Sequence, residues 1–61
     1  MLEEWQNKEV KIFLRIGNDD IIRTGRILES DETFFKFKDK FGNTETFAVS
    51  TIQQIKEEMG R

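Results

Sequence analysis

Val10, Ile12, Leu14 and Ile16 alternate with Lys11, Phe13 and Arg15, and this period of two sends successive side chains to opposite faces of a β-strand. The pattern predicts a first strand over 10–16 with its four aliphatic residues turned to a core. Gly17-Asn18-Asp19-Asp20 reads as a turn, because Gly and Asn tolerate positive φ and Asp bonds its own backbone. A second strand is expected from Ile21 to Glu29. Gly25 lies in its interior, where glycine usually marks a bulge or a sharp bend. Ser30-Asp31-Glu32 turns the chain again. In a third strand, Thr33 to Asp39, Phe35 and Phe37 share one face, while Phe34, Lys36 and Lys38 share the other. Lys40-Phe41-Gly42-Asn43 forms the next turn. A fourth strand over 44–49 sets Thr44, Thr46 and Ala48 opposite Glu45, Phe47 and Val49.

Both ends of the chain allow two readings. Leu2 and Trp5 are three residues apart, so a helical turn over 2–7 would place them on one face and cap one end of the sheet. The alternative is a frayed terminus. Near the other end, Ile52, Ile55 and Met59 have helical spacing, Thr51 and Gln54 form a capping box, and Gly60 could stop a helix. The competing reading is a turn at Ser50-Thr51 and then a strand from Ile52 to Glu57. The strand is preferred, since four strands leave two edges that a fifth would close. The expected fold is all-β: a small, five-stranded, strongly bent antiparallel barrel with a short N-terminal helical turn. It fills one domain, 1–61, with a corner at Gly25.

Composition narrows the possibilities. A chain of 61 residues buries a small core, and such cores rarely supply more than ~3–5 kcal/mol unaided. Cys and His are both absent, so neither a disulfide nor a conventional zinc site is available as a staple. Assembly with further copies is then the expected help, and a homo-oligomer is anticipated. Ten basic residues face twelve acidic ones, for a net charge of −2, so a general basic footprint is absent while a local patch remains open. No apolar run approaches the ~20 residues of a membrane span. The opening segment has neither the basic nor the apolar part of a signal peptide, and a cytoplasmic location is expected.

The order of strands, the glycine-bent second strand and the acidic turn resemble the Sm-like barrel family, which includes the bacterial RNA chaperone Hfq. Gly25 and Asp31 have the spacing of the first Sm motif, and Ala48-Val49-Ser50-Thr51-Ile52 is similar to the stretch that ends the Hfq core. The resemblance covers the chain from Leu2 to Glu57 and implies a ring-forming RNA-binding protein. It departs from the family at the RNA-reading positions. The family's asparagine would fall on Phe35, its Arg-Gly pair on Ala48 and Val49, and the Tyr-Lys-His run of Hfq on Glu45, Thr46 and Phe47. The resemblance therefore implies that RNA, if bound, is held away from the usual pore site.

The third strand offers the substitute. Phenylalanines interleaved with lysines are what a single-stranded nucleic-acid platform uses, with stacking contributing ~1–3 kcal/mol per base. Phe34, Lys36, Lys38 and, on the second strand, Arg26 are the candidate nucleic-acid-binding residues. The same alternation also describes an ordinary amphipathic strand with solvated lysines. Phe34 separates the readings, because it should be exposed. Phe13 could join Phe34 in a second apolar patch, or be half-buried in a strongly bent sheet. Arg15, Arg23 and Arg26 either form a basic strip or pair with carboxylates such as Glu29. The carboxylates at the turns are explained by turn chemistry, and neither acidic turn has calcium-loop spacing. Expected, then, is a non-enzymatic protein with no cofactor, metal, membrane or small-molecule substrate, acting on single-stranded RNA as an oligomeric scaffold. The alternative is a protein-interaction or structural module.

Overall fold

The computed structural model describes residues 2–58. It is all-β, with strands β1 (Glu9–Ile16), β2 (Asp19–Ser30), β3 (Phe34–Asp39), β4 (Thr44–Ala48) and β5 (Ile52–Glu57). They form one antiparallel sheet in the order β4-β3-β2-β1-β5. Among the described residues no ladder joins β4 to β5, so the fifth strand does not close the sheet through hydrogen bonds. It leaves β4 and β5 as the two edges.

The termini resolve in favour of turns and strands. The N-terminal segment is a single 3₁₀ turn, Glu3–Trp5, shorter than the expected helical turn. Residues i and i+3 eclipse in a 3₁₀ turn, which puts Leu2 and Trp5 together on the core. Gln6 then bridges to Ile27, and its side-chain Nε2 donates to the Leu28 carbonyl at 2.9 Å. A second 3₁₀ turn, Val49–Thr51, links β4 to β5. The Thr51 hydroxyl donates to the Ala48 carbonyl at 2.6 Å, closing that turn rather than capping a helix. The helical reading is overturned over Ile52 and Ile55, which lie on a strand; Met59 and Gly60 fall outside the described residues.

The hairpin between β1 and β2 is tighter than expected. Gly17, at φ 64°, and Asn18 make the whole loop. Asp19 and Asp20 belong to β2. Asp20 faces Arg15 across the ladder and accepts from its guanidinium at 2.9 Å, an exposed ion pair beside the loop. The turn at Asp31 is as expected. Its Oδ1 accepts the N–H groups of Thr33 and Phe34, both at 2.8 Å, and these bonds hold the carboxyl below its usual pKa. Asp39 repeats the device after β3. Its Oδ1 accepts from Asn43 and Phe41 at 2.9 Å, which also lowers its pKa.

Gly25 does not carry the irregularity of β2. Register runs unbroken through it, opposite Val10 on one side and Asp39 on the other, and the bulge lies between Ile27 and Glu29. What Gly25 permits is a close approach. A Cβ there would collide with the Lys38 carbonyl oxygen and lie 2.7 Å from Asp39 Cα. In a flat sheet a Cβ stands roughly perpendicular to the strands, some ~4.5–5.5 Å from the Cβ of its cross-strand partner. The sheet therefore folds sharply here, bringing β3 over the inner face of β2. Arg23 and Glu45 record the same curl, since their side chains meet at 3.0 Å although β3 lies between their strands.

Inside the curve lie Leu2, Val10, Ile12, Leu14, Ile27, Phe35 and Phe37, all buried. Phe35 packs edge-on against Phe37 with centroids 6.4 Å apart, and against Phe47 at 5.6 Å. Ile52 and Ile55 of β5 pack on this core from one side and Phe47 and Val49 from the other. Among the described residues no buried side-chain polar atom lacks a partner, and no helix is long and apolar enough to cross a membrane.

Candidate nucleic-acid interface

Directly opposed residues in an antiparallel ladder point to the same face, so the registers assign every outward side chain. On β3 the outward residues are Phe34, Lys36 and Lys38. Arg26 lies directly opposite Lys38 on β2. The four residues singled out from the sequence thus share the outer face of the sheet. Thr44 and Thr46 of β4 extend the rows through Lys38 and Lys36.

Phe34 is 51% exposed, whereas Phe35 and Phe37 beside it are buried. The Asp31 turn fixes this arrangement: by holding the Phe34 N–H it sets where β3 starts, and hence which phenylalanines turn inward. The Phe34 ring borders an open hollow of about 280 Å³ shared with Ser30, Lys36 and Thr46. A second open groove, about 500 Å³, runs past Arg26, Lys38 and Lys40, with Asn7 at its rim. Asn7 holds φ 67°, in the left-handed region where asparagine is among the better-tolerated residues.

The charges on this face are unevenly compensated. Lys36 forms an exposed ion pair with Glu29 at 3.2 Å, of the kind that contributes ~0–1 kcal/mol. Arg15 pairs with Asp20 and Arg23 with Glu45. Arg26 and Lys38 form no ion pair among the described residues, although they stand side by side. Of the three arginines considered as a strip, two are paired, and Arg26 stands directly opposite Glu9 on β1 without forming an ion pair among the described residues. Glu29, the expected arginine partner, is taken by Lys36. Counting by face, Lys11, Arg15, Arg26, Lys36, Lys38 and Lys56 point outward on the ladders, against Glu9, Asp20 and Glu29. Among the described ladder residues the outer face is therefore net positive, in a chain of net charge −2.

Sequence reasoning did not find Lys11 and Lys56, which oppose each other on β1 and β5. Nothing local could reveal them, because the pairing joins residues 45 positions apart. Phe13 does not join Phe34. It sits in the row of Ile22 and Gln54, far along the sheet from the Phe34–Ala48 row, and is half-buried. The family positions carried onto Phe35 and Phe47 are occupied by packed rings, and Glu45 is tied to Arg23, so none of the three is placed to meet a base edge. Among the described residues no group of three or more acidic side chains is placed to hold a metal ion. Comparison with family models, with curated proteins and with solved structures finds nothing that matches this chain.

Proposed function

We propose that this chain is a small, non-enzymatic single-stranded RNA- or nucleic-acid-binding protein of the Sm-like barrel type, working as a homo-oligomeric scaffold. The observation that carries the reading is the shared outer face of Phe34, Lys36, Lys38 and Arg26: an exposed ring beside cations, two of which form no ion pair among the described residues. An aromatic platform stacks bases of any sequence, and the cations follow the phosphates. The sharp fold at Gly25 and the strand order support the barrel assignment. The unpaired edges of β4 and β5 support assembly by strand pairing between copies. In that assembly the site would lie on the outside of the sheet, away from the pore residues whose family counterparts are replaced here.

Binding of a fluorescein-labelled RNA octamer, followed by anisotropy from 50 to 300 mM salt, tests the reading. Affinity should fall linearly in log–log form as salt rises. Phe34→Ala should weaken binding about 5- to 150-fold, the equivalent of one lost stack, and Lys38→Glu should flatten the salt dependence. Absence of binding at 50 mM salt overturns the proposal.

A second reading, a protein-interaction module, is favoured by Phe41 at 78% exposed and Ile22 at 55%, which border one groove on the same face. An apolar contact there would hold as salt rises, whereas a phosphate contact weakens.

A further inference from the structure

Two like-charged pairs face each other directly across strands on the outer face: Arg26 with Lys38 on β2–β3, and Lys11 with Lys56 on β1–β5. Cβ atoms at such positions are ~4.5–5.5 Å apart, where like charges repel. Neither member of either pair has an ion-pair partner among the described residues. Glu9 faces the same way: it lies two residues along β1 from Lys11 and directly opposite Arg26 on β2, and forms no ion pair with either among the described residues. Glu9 stands opposite Arg26 alone, so repulsion within each pair is only partly offset in the free protein, and an anion between the two cations relieves it further.

We propose that Lys11 and Lys56 form a second phosphate-binding site, and that one nucleic-acid strand crosses the sheet diagonally from this pair, past Arg26 and Lys38, to the Phe34 ring. The inference rests on the nucleic-acid reading above and adds the strand's path and the far end of its footprint. Thr24 lies between the two pairs: it is Lys11's neighbour on β2 and sits two residues from Arg26. Its hydroxyl is the only polar side chain of β2 between them. The groove flanked by Lys11, Thr24 and Lys40 meets the groove flanked by Arg26 and Lys38 at Asp39 and Lys40, so the surface is continuous. With strands ~4.8 Å apart and ~3.4 Å per residue along each, the path from Lys56 to Phe34 is about 25 Å long. That length holds on the order of four extended nucleotides, the low end of the ~4–16 that small barrels occupy.

The double variant Lys11→Gln/Lys56→Gln tests the path, with Lys38→Gln and Lys8→Gln measured alongside on the same RNA octamer. Each phosphate contact on a single strand contributes ~0.7 to the slope of log affinity against log salt. The double variant should lower that slope by about 1.4, so the affinity lost between 50 and 200 mM salt shrinks about sevenfold. Its melting midpoint should be unchanged or higher, because repulsion has been removed. Lys8→Gln, which removes one positive charge outside both pairs, should leave the slope within error of the parent. An unchanged slope in the double variant, with a flattened slope in Lys38→Gln, overturns the second site and leaves the first standing. A slope that falls equally with Lys8→Gln also overturns it, since net charge alone then accounts for the effect. If the parent does not bind the octamer at 50 mM salt, both the path and the reading beneath it fail.

Discussion

Replacing Gly25 by alanine puts a methyl group where the backbone of β3 passes. The added carbon would collide with the Lys38 carbonyl oxygen and lie 2.7 Å from Asp39 Cα and 2.9 Å from the Lys38 carbonyl carbon. Carbon atoms rest at ~3.5–4.0 Å, so β3 must retreat by about 1 Å. It is not free to do so. Arg26 and Gly25 hold Lys38 and Asp39 in register, and Asp39 is bonded through its N–H to the Asn43 carbonyl at 2.8 Å. Overpacking of this kind costs ~1–3 kcal/mol, and a backbone obstacle belongs at the upper end. Alanine returns ~0.4–1 kcal/mol by restricting the unfolded chain. The net loss is about 2 kcal/mol, which lowers the melting midpoint of a domain this size by roughly 8–16 °C. It also removes about half of the ~3–5 kcal/mol that so small a core supplies. Thermal and urea melts followed by Trp5 fluorescence and far-ultraviolet circular dichroism measure this directly. Gly17→Ala is the comparison: its Cβ meets nothing within 4 Å, so only the positive φ is penalised, by ~1–2 kcal/mol. A Gly25→Ala protein within 0.5 kcal/mol of the parent, with an unchanged urea m-value, would refute the sharp fold of β3 over β2.

Two further outcomes follow from the turns and the edges. Asp31 and Asp39 both have lowered pKa values, chiefly because backbone N–H groups bond their charged forms. Their stabilising effect is complete above the unfolded carboxylate value near ~4 and is lost as pH falls through the lower folded values. The urea midpoint should therefore fall steeply below about pH 4, and Asp31→Asn and Asp39→Asn should each flatten that limb; an unaltered limb in both variants would contradict the assignment. Native mass spectrometry at ~100 µM should find closed multiples of the 7.3 kDa chain. Monomer alone at that concentration would remove the strand-pairing assembly and leave the outer-face site untouched.

The parts legible in the sequence are those set by near neighbours. The alternation of Val10, Ile12 and Leu14, the inward pair Phe35 and Phe37, and the exposed Phe34 all follow from a period of two interrupted by an Asp turn. Features set by distant partners were hidden. The neighbours Arg26–Lys38 and Lys11–Lys56 depend on register, which only the folded sheet defines. The bulge between Ile27 and Glu29 was obscured by Gly25, a stronger compositional marker three residues before Leu28. The adjacent apolar pair Ile27-Leu28 was the available signal, since it breaks the alternation where the ladder shifts. Asp19 and Asp20 looked like turn residues because Asp so often bonds its own backbone beside Gly and Asn; the ladder instead pairs them with Ile16 and Arg15, and Arg15 bonds the Asp20 carboxylate.

The most direct measurement is an amide chemical-shift titration of the isotope-labelled protein with a single-stranded RNA octamer at 50 mM salt. Shifts should concentrate along the outer rows, at Phe34, Lys36, Lys38, Arg26, Thr24, Lys11 and Lys56, while Arg23 and Glu45 inside the curve stay in place. Shifts confined to the β4 and β5 edges, or none at all, would contradict an outer face built to carry a nucleic-acid strand.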